Sequence, residues 1–513
     1  MEQVSADSRN TWIPAALAAV LAMLTFLVAV RGTYIYDDYD ILLNDERIKS
    51  IGQIHRYWTE RYHDGVDNLY RPITSSTYAI EYWLHGDRAW AFHLVNVLLH
   101  AGVSALVARL GQKLWGDRVG MIAGVLYAVH PVHVEAVANI VGRAELLCAM
   151  GFVGSMVLIL RNPFRARDAV GVIVCAVLAL LSKEQGMLLP PLLATLWWCV
   201  RRKGCQQQEA TRIKGAIASI CILLAAYVVL REQVLGMKFW WDRNFLDWTI
   251  NPLVREDADN MLMPLVLLGR YAGLLFAPIK LSPDYGATVI GWQVQWNEPW
   301  FYLGVASLLI WIALFIQAAK RRDGVLLFCL IALGVTYGIV GNVVSLIGVN
   351  LAERLMYLPS VFFVMIIASW LARFRAGVAV TVVLISLFLL RSVTYAAQWN
   401  EALSFYSYCV EHQPNSIRLH MLLVAEYRSL GQLENARLAA EKARAVLPDY
   451  DEIYVQSAFV AISQHDYDAA DEFLDQALSI ASKDKRRSLL KAAGWKAKVA
   501  ELRAATQPAT QVR

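Results

Sequence analysis

Charge is in short supply in this chain. Of its 513 residues, 18% are Asp, Glu, Lys or Arg and 57% are hydrophobic, against about 25% and 45–50% in a typical soluble domain. That ratio excludes an ordinary water-soluble globule, whose helices would carry polar stripes. Cysteine is sparse as well. Of the seven, Cys148, Cys175, Cys199, Cys221 and Cys329 fall in apolar stretches, Cys205 lies in a basic loop, and only Cys409 is in a clearly outside region. No disulfide framework is encoded. The net charge is only +5, and the basic residues sit in short clusters between apolar blocks, which excludes a nucleic-acid-binding surface. Met1–Asn10 carries almost no net positive charge and no small-residue cleavage site follows the first apolar block. That block reads as a retained anchor.

What is present is long apolar sequence. Stretches 11–30, 95–110, 120–137, 145–160, 169–181, 186–200, 213–230, 301–316, 325–344, 355–371 and 376–390 are almost free of charge. A bilayer core needs roughly 20 helical residues, so the blocks predict about 11 crossings, with flanking residues completing the shorter ones. Basic clusters at Arg161, Arg165 and Arg167, at 201–203, at 320–322, and at Arg373 with Arg375 mark inside loops. The N-terminus is then inside, and 31–92, 231–300, 345–354 and everything after residue 390 are outside. Block 261–279 is broken by Pro264, Arg270 and Pro278. Counting it as a crossing would invert every later loop, so it reads as re-entrant or interfacial. In 78–93, Tyr82, Trp83, Trp90 and Phe92 suit an amphipathic helix lying on the bilayer.

After Arg391 the composition turns polar and a 34-residue period appears. Pro414 returns as Pro448, Trp399 as Leu433 and Tyr467, and Ala402 as Ala436 and Ala470. Leu423, Tyr427, Gly431, Ala436, Ala443 and Pro448 stand where a tetratricopeptide repeat places its large, small and turn residues. A last helix is expected over 484–504. The organisation expected is a membrane domain over 1–395, a repeat domain over 396–505 on the outside face, and a disordered tail over 506–513.

Ionisable residues gather on the predicted outside face. Asp37 and Asp38 follow the first block directly. Adjacent carboxylates repel, so one can hold a raised pKa suited to proton abstraction, or the pair can offer oxygen ligands to a divalent ion such as magnesium or manganese. In an extended segment their side chains would point to opposite sides. His130, His133 and Glu135 lack the one-turn spacing of a zinc helix, which leaves helix-end hydrogen bonding or substrate binding. Arg143, Glu145, Lys183, Glu184, Glu353 and Arg354 interrupt apolar runs, where charges are costly and line a cavity or pair with something. Within the protein, Glu353 or Asp38 are the expected partners of Arg354.

Six segments carry a resemblance: YDDYDILLND (36–45), YRPITSSTY (70–78), FHLVNVLLHA (92–101), HPVHVEAVANIVGRAELL (130–147), LSKEQG (181–186) and LAERLMYLPS (351–360). In order along nearly the whole chain, they resemble the transmembrane, tetratricopeptide-repeat O-mannosyltransferases of the GT-C glycosyltransferase superfamily, in a bacterial-type relative. The resemblance implies an all-α GT-C membrane bundle with a C-terminal repeat solenoid. It also implies an inverting transferase that moves a sugar, mannose in the eukaryotic members, from a polyprenyl-phosphate donor to an acceptor hydroxyl on the extracytoplasmic face. Protein Ser/Thr is the first acceptor to consider. A glycan or lipid acceptor, or a non-catalytic membrane scaffold, are the alternatives. On this analogy Asp37 and Asp38 supply the base, and Arg354 with help from Lys183 holds the donor phosphate. Arg71, His130, His133, Glu135, Arg143, Glu145, Glu184 and Tyr357 make up the substrate-binding set. The implied partners are the lipid-linked donor, membrane lipid, and a protein or peptide acceptor engaged by the repeats. No cofactor is certain from the resemblance, a divalent magnesium or manganese ion being the one candidate, and the implied location is a bacterial inner membrane with the repeats on the periplasmic side.

Overall fold

The computed structural model describes residues 11–62, 69–201, 206–236, 247–481 and 486–506. Lys203, Cys205 and the tail beyond residue 506 lie outside the described residues. Every regular element among those described is a helix. Six helical runs, Ile13–Arg31, Ala89–Trp115, Ile140–Ile159, Gln207–Leu235, Pro299–Arg321 and Gly377–Gln398, are long and apolar enough to cross a bilayer. The protein is therefore an integral, multi-pass membrane protein. Backbone groups in lipid must be satisfied within the segment, and a helix does this by itself. Lipid-facing apolar side chains follow from the same fact: Ile222, Leu309, Ile310 and Val383 are exposed, with no water to penalise them.

Among the described residues, fewer helices than the expected 11 crossings are long enough to span by themselves. Blocks 169–181, 186–200, 325–344 and 355–371 fold as helices of 17 residues or fewer, so six runs meet the length unaided. A seventh does so only as a bent pair. Block 120–137 breaks at His130 into Asp117–Val129 and Pro131–Ala138, bent by 52°. The cause is Pro131, which lacks an amide hydrogen and pushes the preceding residue out of helical backbone; His130 sits at ψ 125°. Block 261–279 yields the 14-residue helix Met263–Phe276, about 21 Å long. It packs on Pro299–Arg321 so closely that a Cβ on Gly269 would lie 1.9 Å from the Trp300 carbonyl and one on Gly304 1.8 Å from that of Leu265. Small residues permit such backbone approach. The amphipathic helix expected over 78–93 is two helices, Pro72–His85 and Ala89–Trp115. They part at Gly86, whose φ of 68° favours glycine. Trp83 and Trp90 are exposed there, while Tyr78 and Phe92 are buried.

The chain divides into two compact units, one of residues 1–283 and 292–401, the other of 284–291 and 402–513. The second begins Ala402–His412, Ile417–Ser429, Leu433–Val446, Asp451–Ser463, Tyr467–Ile480. The starts at 417 and 451, and at 433 and 467, repeat the 34-residue period. Its alanines, Ala436, Ala443, Ala470 and Ala477, are buried, as close helix pairing requires. The last helix runs Arg486–Thr506. Segment 284–291 had been grouped with the outside region 231–300 of the membrane domain. It belongs to the second unit because Asp284 accepts a hydrogen bond from Ser416 Oγ at 2.7 Å and Thr288 Oγ1 accepts one from the Ile417 amide at 3.2 Å. Cys409 is buried, so the outside placement expected for it does not make it accessible.

Candidate active site

The first unit brings the acidic pair to the end of its first span. Helix Ile13–Phe26 tightens into the 3-10 turn Leu27–Arg31, and the chain leaves it extended at Gly32. Tyr36 is buried with a left-handed φ of 63°. For a bulky residue that is a strained backbone of about 1–3 kcal/mol, the kind found at working sites. Asp38 has helical backbone and leads into the wide helical turn Tyr39–Leu43, so the extended segment expected for the pair is corrected. Their side chains still diverge, because successive positions in helical backbone face different ways.

The divergence gives the two carboxylates different surroundings. Asp38 is buried; one oxygen accepts from the Ile35 amide at 3.2 Å and the other from the Val141 amide at 3.1 Å. Burial pushes its pKa up to about 8, against the pull of the Ile35 and Val141 amides, with the Asp37 charge adding to the rise. Asp37 stays 23% exposed, and its Oδ2 lies 3.7 Å from Arg354 Nη2. Arg354 in turn is clamped by Glu135, which is fully buried: the Arg354 amide donates to Glu135 Oε2 at 2.8 Å and its guanidinium pairs with Oε1. The expected partners Glu353 and Asp38 are not the ones used. Glu353 instead accepts from the Ser282 amide at 2.6 Å.

Two more ion pairs belong to the same electrostatic neighbourhood. Lys183 is buried against Glu145. Arg71 holds Glu184 in a two-toothed grip, Nη2 at 2.7 Å and Nε at 3.2 Å from Oε2. Burial pushes the Glu184 carboxyl up, but the Arg71 charge and hydrogen bonds outweigh it and hold it below its usual range. Three cations thus each have a carboxylate partner, and Asp37 remains as the partly open acid.

Other residues of the expected substrate set bond within the protein. Arg143 is fully buried and pairs with Glu81, while its Nε donates to Asn96 Oδ1 at 2.9 Å and its Nη2 to the Phe92 carbonyl at 2.9 Å. His130 accepts from the Val132 amide at 3.2 Å and donates to the Leu275 carbonyl at 3.0 Å. His133 joins the Tyr127 carbonyl at 2.9 Å to Ser360 Oγ at 2.8 Å. Tyr357 Oη meets His100 Nδ1 at 2.8 Å. These groups hold the break after Val129 in shape. Asp38 is taken up by amides, and among the described residues no three His, Cys, Asp or Glu side chains gather to hold a metal.

Some residues here were not singled out by the sequence. The Tyr62 ring lies under the Arg71 guanidinium at 5.4 Å. Gln185 is buried with both amide atoms lacking a protein partner, as does the second oxygen of Glu145. Such groups are costly unless something polar meets them.

No family model matches the chain. Among curated proteins it is 25% identical over 453 residues to a protein O-mannosyl-transferase of Caenorhabditis elegans, covering 84% of this chain and 62% of that one. It is 28% identical over 393 residues to protein O-mannosyl-transferase TMTC4 of Homo sapiens, covering 66% and 53%. It is 27% identical over 321 residues to TMTC2 of Mus musculus, covering 57% and 38%. The chain therefore spans about three-fifths of the first relative's length and about half of the second's. The resemblance carried by its motifs is borne out: its sequence relatives are protein O-mannosyl-transferases. A solved structure, ArnT from Cupriavidus metallidurans bound to undecaprenyl phosphate, aligns with a TM-score of 0.40 and 13% identity over 92% of this chain and 80% of that one.

Proposed function

We propose that the chain is a GT-C-type glycosyltransferase that moves a sugar, mannose first among candidates, from a polyprenyl-phosphate donor to a protein Ser/Thr hydroxyl. The observation that carries this reading is the pairing of Asp37, partly open, with Arg354, which buried Glu135 holds from behind. Phosphate is a good leaving group, so the reaction needs a base on the acceptor and a cation on the departing oxygen. A donor phosphate entering beside Arg354 competes with Asp37 for the guanidinium and frees the carboxylate. Asp37 then takes the acceptor hydroxyl's proton while that oxygen attacks the anomeric carbon. The bond from that carbon to the phosphate oxygen breaks with inversion, and its electron pair leaves on the polyprenyl phosphate. Asp38 holds the loop through its two amides. Lys183 adds positive potential, and Gln185 supplies an amide for the polar part of the donor.

In this reading the site faces the extracytoplasmic side of a bacterial inner membrane. The 34-residue helix pairs act as tetratricopeptide repeats that engage the acceptor protein. The test uses the purified full chain with a panel of polyprenyl-phosphate sugars and three acceptors: a Ser/Thr peptide, a glycan and a lipid. Loss of sugar from one lipid donor and its gain by the peptide is expected, with both abolished in Asp37→Asn. Gain by the glycan or the lipid would move the acceptor class. A wild-type protein that discharges no donor would leave the scaffold reading in front.

A further inference from the structure

The loop that delivers Arg354 is held far from the guanidinium by a pair of asparagines. Asn342 is buried with a left-handed φ of 57°, which Asn tolerates better than most residues. Its side-chain oxygen accepts from the Ile347 amide at 2.9 Å and from Asn251 Nδ2 at 3.0 Å; its nitrogen donates to the carbonyls of Val349 at 3.2 Å and Asn350 at 3.0 Å. That is a full complement for one amide. Asn251, fully buried, also donates to the Ile347 carbonyl at 2.7 Å and accepts from the Leu253 amide at 3.1 Å.

From this lock every residue toward the site is pinned in turn. Asn350 Oδ1 accepts from the Leu351 amide at 2.8 Å, and the Tyr271 hydroxyl accepts from the Ala352 amide at 3.2 Å. The Glu353 carboxylate is fixed by Ser282, and the Arg354 amide by Glu135. A fully satisfied buried polar network rigidifies what it joins.

We propose that Asn342 and Asn251 are positioning residues for Arg354: their amide pair sets the loop 341–350, and the pinned run 350–354 carries that placement to the guanidinium beside Asp37. The purpose of this placement rests on the transferase reading, whereas the placement itself is measurable without turnover. A simple weld between two loops would change stability and leave Arg354 where it is.

The test labels full-length protein in detergent with phenylglyoxal and reads Arg354 by peptide mass, with exposed Arg373 as internal control. Asn342→Gly keeps the left-handed backbone and removes the four side-chain bonds; Asn251→Ala removes the other half. Each should raise the Arg354 labelling rate about fivefold, the factor that corresponds to one hydrogen bond's net worth, with Arg373 unchanged. Should Asn342→Gly fail to fold, Asn251→Ala carries the test alone. An unchanged Arg354 rate in the folded variants overturns the proposal. Turnover of polyprenyl-phosphate mannose on the same samples separates the two ideas. Faster labelling with a raised donor KM supports both. Faster labelling in a protein whose wild type transfers no sugar supports the positioning and removes the transferase reading.

Discussion

Exposed ion pairs occur in both units, such as Lys49–Glu46 in the membrane unit, but the deeply buried ones among the described residues are in the membrane unit. In the membrane unit, Arg143–Glu81, Lys183–Glu145 and Arg354–Glu135 each have at least one partner at 3% exposure or less. In the helix-pair unit, Arg437 with Glu434 and Glu441, and Arg503 with Asp468, are 37–95% exposed. Exposed pairs gain little in water and are screened by salt. Buried pairs carry a desolvation cost that only close, well-bonded geometry offsets, and apolar replacements of the same volume are often as stable. A chain this short of charge nonetheless places several charges where they are most expensive. Some of them, such as Arg143 with Glu81, brace the fold, and others cluster around Arg354.

The sharpest way to break this contrast is to remove one partner of a buried pair. Glu81→Ala leaves Arg143 fully buried beside Asn96, and should lower stability by about 3–5 kcal/mol, read as a fall in thermal unfolding in detergent. A change near zero would mean that the pair is no different from those of the second unit. Next in size, Asp37→Asn should lower transfer by about 10²-fold or more, the scale of general-base catalysis, with unfolding temperature near wild type. Asp40, exposed and hydrogen-bonded to Asn44, is the matched control, and Asp40→Asn should be mild. Wild-type rates in Asp37→Asn would end the base assignment.

Arg354→Ala should weaken binding of a polyprenyl phosphate by about 1.5–3 kcal/mol, the worth of a charged hydrogen bond, while Arg373→Ala leaves it unchanged. Equal affinities in the two variants would reduce Arg354 to a brace for Glu135. Asp38 offers a sharper contrast through pH. Its folded pKa of about 8 lies above the ordinary carboxyl value near 4. The folded state therefore binds this proton more tightly, and the stability so gained is full below about pH 4 and lost as pH rises through about 8. Asp38→Asn should flatten the decline in unfolding temperature over that window; parallel wild-type and variant curves would show that the group does not titrate there. Smallest of all, Arg437→Ala in the second unit should cost about 0.2–1 kcal/mol or less, and less still at high salt. A larger loss would show that burial is not what separates the two sets.

Much of this was readable beforehand, for particular reasons. The run 13–31 announced itself because a bilayer demands about 20 charge-free residues, and the helix pairs did so because their alanines recur at 34. Asp37, Arg354 and Lys183 stood out as charges interrupting apolar sequence. Their partners did not: Glu135 was one candidate among many, and Glu353, adjacent in sequence to Arg354, looked the better match. Block 120–137 passed for one crossing although Pro131 was in plain view, since hydropathy does not register a missing amide. Tyr62, Asn251 and Asn342 gave no signal, and Gln185 stood in LSKEQG without being singled out, because an amide or a ring looks the same in a loop whether it is idle or holding the site.

The sequence by itself determined the membrane class, the period of the repeat unit and which ionisable groups lie at the ends of apolar runs. These are properties of short stretches, fixed by hydrocarbon thickness and helix geometry. Only the tertiary structure decided that Arg354 pairs with Glu135 across 219 positions, that Asp37 rather than Asp38 stays open, and that segment 284–291 joins the second unit. Those outcomes depend on which side chains approach within a few ångströms once the helices pack. Coulomb and hydrogen-bond energies select partners by distance and burial, and separation along the chain does not encode either.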